Sequence, residues 1–161
     1  MSPVYSGPEA LEKRIAPAGL VTITFSHHGV LQLAGDAAAN RIDAIETAGA
    51  LQITDLGDGD THFKYRGELL DLVTINLPIR KLKVLAESGV AKTLSLQGLE
   101  TSGAARIAMA GESDVTLDSV HIGGALAIGT SSHIGSVRLT GDVVKVGGTL
   151  SVQNVDSFVA D

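Results

Sequence analysis

Three residues of complementary chemistry recur at a nearly constant interval in the second half of the chain. Glu100, His121 and Lys145 supply an acid, a base and a cation, spaced 21 and 24 residues apart. If they lie on neighbouring strands, they form a row in which acid–base chemistry or simple charge attraction can operate. Such rows arise readily on any solvated sheet, so we expect cross-strand attraction and assign no catalytic residue.

A second set of polar residues recurs at intervals of 21 or 22, each between two apolar residues. Its members are Gln52, Thr74, Ser95, Thr116 and Arg138. Aligned on one face, they would make a flat docking surface rich in hydroxyl groups. The structural alternative is that threonine is a good strand former whose hydroxyl is solvated.

Other motifs point to chemistry more weakly. Asp58 and Asp60 lie in Leu56-Gly57-Asp58-Gly59-Asp60-Thr61, which partly matches the calcium-binding nonapeptide repeat, although a plain Gly-Asp turn explains it as well. The chain contains no cysteine and no nucleophile or phosphate-loop motif, so we expect no enzyme activity and no cofactor.

Basic residues cluster just after the middle of the chain, in an otherwise acidic protein of net charge −6. They are Arg80, Lys81, Lys83 and Lys92. We expect a solvated corner, or else a contact with an anionic glycan or a protein partner. The net charge argues against nucleic acid as a partner, and no stretch approaches the length of a membrane-spanning helix.

The elements that would hold these residues are short strands with a long period. Apolar–polar–apolar triplets begin at Leu51, Val73, Leu94, Val115 and Val137, with Val21 and Leu31 as less regular early members. Alternation puts the outer two residues of a triplet on one face and the middle one on the other. The near-constant period favours a repeat architecture over a β-sandwich, which remains the alternative.

Two further columns of triplets accompany the last three members of the first column. One contains Leu99–Thr101, Val120–Ile122 and Val144–Val146; the other contains Ala105–Ile107, Leu126–Ile128 and Leu150–Val152. Three strands per coil, apolar pairs inward, predict an all-β chain folded as a single-stranded parallel β-helix, a β-solenoid of about 21–24 residues per coil. Residues 21–161 would form it.

The two ends of the chain differ from the repeat. Residues 1–20 form a separate N-terminal segment, in which Pro8 and Glu9 can start a short helix that caps the solenoid core; a disordered tail is the alternative. The last coil shows no equivalent cap, so end-to-end self-association through it is an expectation.

The sequences VTLDSVHIGGALAI and VRLTGDVVKVGGTLSV, with LGDGDT upstream, resemble repeat units of large bacterial secreted or surface β-solenoid proteins of the adhesin type. This resemblance covers roughly residues 50–161 and implies an extracellular or cell-surface location within a longer protein. A second resemblance, to bactofilin-type polymerising β-helix scaffolds, implies a cytoplasmic one.

These observations lead to a functional expectation with two alternatives. We expect a non-enzymatic structural or adhesive module with a protein or glycan partner. A cytoskeletal scaffold that assembles end to end is the first alternative, and a carbohydrate-active β-helix enzyme is the second.

Overall fold

The computed structural model of the chain describes residues 19–57, 59–76, 78–86, 92–129, 134–141 and 144–161. All regular structure within these ranges is β-strand, which confirms for them the prediction of an all-β chain. The predicted capping helix falls within residues 1–18, which lie outside the described residues.

Short strands follow one another closely along the whole described chain. In order they are β1 (Gly19–Phe25), β2 (Val30–Gly35), β3 (Arg41–Thr47), β4 (Ala50–Asp55), β5 (Thr61–Tyr65), β6 (Glu68–Leu70), β7 (Leu72–Ile75), β8 (Lys81–Ala86), β9 (Thr93–Gln97), β10 (Glu100–Thr101), β11 (Ala105–Met109), β12 (Asp114–Asp118), β13 (His121–Ile122), β14 (Leu126–Ile128), β15 (Ile134–Thr140), β16 (Lys145–Val146), β17 (Leu150–Val152) and β18 (Val155–Ala160).

The strands pair into three sheets, most of whose neighbours are parallel. Sheet A has the order β17-β14-β11-β8-β2-β1-β5-β6, and sheet B has the order β18-β15-β12-β9-β3-β4-β7. Sheet C has the order β10-β13-β16, and Ile79 extends it by a parallel bridge to Thr101. From β8 onward successive strands belong to sheets A, B and C in turn. Each strand pairs in parallel with the strand that follows it by three in the chain, as β8 does with β11.

The register in this second half matches the columns predicted from the sequence. Leu94 pairs with Val115, and Val115 pairs with Val137. The columns that became sheets C and A are aligned in the same way, with Ile122 opposite Thr101 and Leu126 opposite Ala105. The period of the apolar triplets therefore predicted which residues are neighbours across these strands.

The first half departs from the predicted parallel stacking. The strand that contains the Leu51 triplet, β4, is antiparallel to both β3 and β7, and β7 contains the Val73 triplet. Strands β1 and β2, which contain the Val21 and Leu31 triplets, are also antiparallel to each other. The prediction that the triplets at Val21, Leu31, Leu51 and Val73 stack in parallel on one another was therefore wrong. Strands β1, β2 and β3 nevertheless pair in parallel with β5, β8 and β9.

Tight turns explain why the chain reverses there. Ala48 and Gly49 join β3 to β4 with φ values of 52° and 78°, and Arg66 and Gly67 join β5 to β6 with 53° and 88°. Two successive positive φ angles define the type I′ turn, whose twist suits a two-residue hairpin. Glycine in the second position adopts this angle without steric cost.

A single cluster of buried apolar side chains runs through the sheets. In most strands alternate residues point into it, as Val115 and Leu117 of β12 show. Phe63 is fully buried, and the remaining core is built of aliphatic side chains with Met109.

Candidate binding surfaces

The mixed-charge row of Glu100, His121 and Lys145 lies on sheet C, one residue per strand. Glu100 is opposite His121, and His121 is opposite Lys145. His121 Nδ1 lies 3.5 Å from Glu100 Oε1, and both side chains are about half exposed or more. The structure therefore brings the three predicted residues together on an open surface, where their mutual attraction is modest.

A cleft lies at the start of this row, where sheet C meets the β3–β4 hairpin. Its volume is 310 Å³, and it is lined by Glu46, Gly49, Leu51, Asn76, Pro78, Ile79, Glu100 and Ser102. Glu46 Oε2 accepts a hydrogen bond of 2.8 Å from the backbone N–H of Glu100. We call this feature the glutamate cleft, because it combines two carboxylates with an apolar floor.

The polar row predicted for the first column is divided between two places in sheet B. Ser95 is opposite Thr116, and Thr116 is opposite Arg138, on three successive parallel strands. Gln52 and Thr74 are opposite each other on the antiparallel strands β4 and β7. Strand β3 separates the two groups and places Asp43, not Gln52, beside Ser95. Ser95 is buried, so the prediction that it belongs to an exposed row was wrong.

The Gly-Asp segment that resembled a calcium motif is only partly described. Asp58 lies outside the described residues, and Asp60 is exposed. The carboxylate that organises this turn is Asp55, whose Oδ2 accepts hydrogen bonds from Gly57 N at 3.0 Å and Gly59 N at 2.8 Å. Within the described ranges no group of three or more His, Asp or Glu side chains is arranged to hold a metal ion.

One member of the predicted basic cluster is not on the surface. The Lys92 side chain is buried, with 1% of its surface exposed, whereas Arg80, Lys81 and Lys83 are exposed. The Nζ of Lys92 donates to the backbone oxygens of Asp36, at 3.0 Å, and Ala38, at 2.7 Å. The expectation of a solvated corner was therefore wrong for Lys92, because the loop after β2 encloses its ammonium group.

Burial and one charge act on Lys92 in opposite directions. Desolvation lowers the pKa of Lys92, and the nearby Asp36 carboxylate offsets part of that shift. Asp36 also accepts hydrogen bonds from Leu20 N, Ala38 N and Asn40 Nδ2. Lys92 thus joins the start of β9 to the loop between β2 and β3, and its role is structural.

The last three strands end the three sheets on the same side. Strands β16, β17 and β18 each have a pairing partner on one side only within the described residues. Leu150 and Phe158 lie opposite the buried Leu126 and Val137, yet they are 41% and 45% exposed. This side of the molecule, which we call the terminal strands, therefore combines the edges of three sheets with exposed apolar side chains.

Two contacts at these surfaces could not be predicted from any pattern in the sequence. Glu46 and Glu100 meet across 54 residues, and Lys92 and Asp36 meet across 56, outside the period of the repeat. The Ala48-Gly49 turn that brings Glu46 to sheet C carried only a partial signal. Glycine between alternating strands indicates a turn, but Ala-Gly is not one of the pairs typical of a type I′ hairpin.

Comparisons with known proteins found no relative of this chain. No protein-family model, no curated protein and no solved structure matches it. No helix long and apolar enough to cross a bilayer occurs in the part of the chain that the structure describes.

Proposed function

We propose that residues 79–161 coil as a single-stranded parallel β-solenoid and that the chain is a structural or adhesive module without enzyme activity. The observation that carries this proposal is the repeated order of sheets A, B and C, with strands in register from one visit to the next. Such a stack holds outward side chains at a fixed spacing of about 4.8 Å between strands.

The mechanism would be rigid display. Thr116 and Arg138 on sheet B, and His121 and Lys145 on sheet C, present hydroxyl and charged groups whose spacing is set by backbone pairing. The backbone that holds these side chains is already ordered. A partner would therefore bind without the loss of conformational entropy that ordering this backbone would require. A bacterial surface or secreted protein is the setting that the resemblance of its repeats suggests.

A binding panel tests this proposal. The purified chain is applied to immobilised bacterial cell-envelope fractions and to an array of glycans, beside Thr116→Val/Arg138→Ala and His121→Ala/Lys145→Ala variants. We expect at least one of the double variants to retain about tenfold less protein on the surfaces that wild type binds. Equal retention of wild type and both variants, or no retention by any of them, would overturn rigid display through these rows; Asp60→Ala, in an exposed turn, is the control.

The terminal strands favour a second function, that of a scaffold which assembles through its end. Leu150 and Phe158 continue inward-facing columns, and a second copy of the chain could cover them while pairing with the free edges of three sheets. Light scattering over a concentration series would then show mass rising with concentration.

Adjacent residues on β18 provide a matched pair for that test. Phe158 is opposite the buried Val137, whereas Val159 is opposite the exposed Arg138. Phe158→Ser should abolish the rise in mass and Val159→Ser should leave it largely intact. A wild-type chain that stays monomeric at every concentration would exclude assembly through the terminal strands.

The glutamate cleft favours a third function, carbohydrate cleavage. Two carboxylates that line one cleft are the groups with which most glycoside hydrolases work. Release of reducing ends from polysaccharides by wild type, lost in both Glu46→Gln and Glu100→Gln, would support an enzyme in place of a display module. Equal release by wild type and variants would assign the activity to a contaminant.

A further inference from the structure

Charge is distributed unequally between the two large sheets. Sheet A has eight strands, and seven of them contain no Asp or Glu. The eighth, the edge strand β6, contains Glu68. The strands of sheet B contain six carboxylates, which are Asp43, Glu46, Asp55, Asp114, Asp118 and Asp156. In a protein of net charge −6, the strands of sheet A therefore contain one carboxylate and those of sheet B contain six.

The same face concentrates basic side chains on two neighbouring strands. Lys83 of β8 is directly opposite Arg106 of β11, and Lys81 lies two residues earlier on β8. All three are exposed, and Arg80, also exposed, precedes the strand. This placement gathers positive charge on one part of sheet A, and such a concentration attracts anionic ligands.

A shallow hollow adjoins this cluster. Its volume is 160 Å³, and it is lined by Phe25, Ser26, His27, Gly29, Pro78 and Arg80. The backbone N–H of Arg80 donates to the Gly29 oxygen at 2.8 Å, which ties the start of β8 to the β1–β2 turn. Phe25, which also packs against the core, lines the hollow together with Ser26, His27 and Arg80, and Lys81 follows Arg80 directly in the chain.

We propose that this basic face, comprising the hollow and the side chains of Arg80, Lys81, Lys83 and Arg106, binds an anionic polysaccharide. One sugar ring would occupy the hollow against Phe25, with its hydroxyl groups near Ser26 and His27. Its carboxylate or sulfate would pair with Arg80, whose planar guanidinium can hold such a group with two hydrogen bonds. Acidic groups further along the polymer would reach Lys81, Lys83 and Arg106.

A polysaccharide fits this face better than a nucleic acid does. The outward positions of the sheet A strands contain no Phe, Tyr or Trp, so the face lacks the row of aromatic rings on which successive bases stack. Duplex DNA also has about one charge per 1.7 Å, and the carboxylates of sheet B would repel such a dense polyanion. A hollow sized for one ring followed by spaced cations suits a polymer with one charge per sugar.

The binding test uses the whole chain and alginate oligomers, a polyuronate, as the probe. We expect wild type to bind alginate, and Arg80→Gln and Lys81→Gln/Lys83→Gln each to weaken binding about tenfold or more. Arg66→Gln, which removes an exposed cation from the turn between β5 and β6, is the matched control and should bind as wild type does. Thermal melts establish that each variant is folded.

Two further ligands define what would overturn the proposal. Alginate whose carboxylates are esterified should bind at least tenfold more weakly; equal binding would show that charge is not recognised. Duplex DNA that competes as well as alginate would show a general polyanion surface, and salt-sensitive self-association would show that the carboxylates of a second copy occupy the face.

The same proposal fails if wild type shows no alginate binding, or if the Lys81→Gln/Lys83→Gln variant binds as tightly as wild type. Display through sheets B and C, tested with other variants, is unaffected by either result. The two proposals can therefore fail separately.

Discussion

The Nζ of Lys92 lies 3.0 Å from the backbone oxygen of Asp36, across 56 residues of sequence. This contact joins the first strand of the regular repeat in sheet B to the irregular first half of the chain. Asn40, itself buried, reinforces the joint, because its Nδ2 donates to the backbone oxygens of Asp36 and Ala38 at 3.2 and 2.9 Å.

Replacing Lys92 with methionine should therefore lower the free energy of unfolding. Lys92→Met keeps the length of the side chain and removes two hydrogen bonds and the attraction to Asp36, so we expect a loss of about 1–2 kcal/mol. Lys83→Met, at an exposed position of β8, should change stability by less than about 0.5 kcal/mol. Urea unfolding of both variants checks this, and equal effects would mean that the buried ammonium contributes nothing.

Stability should also depend on pH through Lys92. Burial lowers its folded pKa below the ordinary value of 10.5, so between the two pKa values the unfolded chain binds more protons than the folded chain. Stability must then rise with pH across that window, because deprotonation relieves the desolvation penalty of the folded state. The stability difference between wild type and Lys92→Met, measured from pH 7 to 10.5, should grow in favour of wild type; a flat difference would contradict the lowered pKa.

The turn between β3 and β4 predicts a stabilising substitution. Ala48 holds a φ of 52°, a conformation that costs most side chains about 1–2 kcal/mol and that asparagine tolerates. Ala48→Asn should thus raise the free energy of unfolding by up to about 1 kcal/mol, and Gly49→Val should lower it by about 1–2 kcal/mol. Thermal melts compare them, with Ala50→Asn in β4 as the control, and a destabilised Ala48→Asn would contradict the type I′ turn.

Adjacent residues on β12 test which face is buried. Leu117 lies between Leu96 and Leu139 in the core, whereas Thr116 points to the opposite face of sheet B. Leu117→Ala should cost about 2–5 kcal/mol, because a cavity remains between two packed neighbours. Thr116→Ala should cost about 0.5 kcal/mol or less. Chemical denaturation of the pair gives both values, and similar losses would place both residues on the same side of the strand.

The sequence predicted the second half of the fold far better than the first. Triplets such as those at Val115 and Val137 repeat with the same alternation, so one coil predicts the next. Leu51 and Val73 have the same triplet pattern, but alternation is identical for parallel and antiparallel strands, and only the Ala48-Gly49 turn distinguishes them. Period alone therefore could not reveal the hairpins.

The surface features also differ in how far the sequence predicts them. The row of Glu100, His121 and Lys145 followed from spacing, because sheet C keeps a constant register. Glu46 could not be placed beside Glu100 from the sequence, since the hairpin that carries it lies outside the repeat. Lys92 was predicted with the exposed cations because hydropathy does not show that a loop fifty residues earlier supplies acceptors for its amine.

The central proposal is that residues 79–161 coil, with corresponding residues of successive coils side by side in all three sheets. Because the natural sequence contains no cysteine, engineered cysteine pairs can report this directly. Neighbouring strands lie about 4.8 Å apart, within the separation that a disulfide spans. One pair is placed in each sheet, at Thr116/Arg138, His121/Lys145 and Ala127/Ser151.

Disulfide formation in the folded protein, quantified by mass spectrometry after mild oxidation, is the most direct measurement. All three pairs should form disulfides in high yield, and a Thr116→Cys/Thr140→Cys pair, which is displaced by two residues, should not. Efficient cross-linking of the displaced pair, or failure of the three in-register pairs in a protein that still melts cooperatively, would contradict the coiled arrangement.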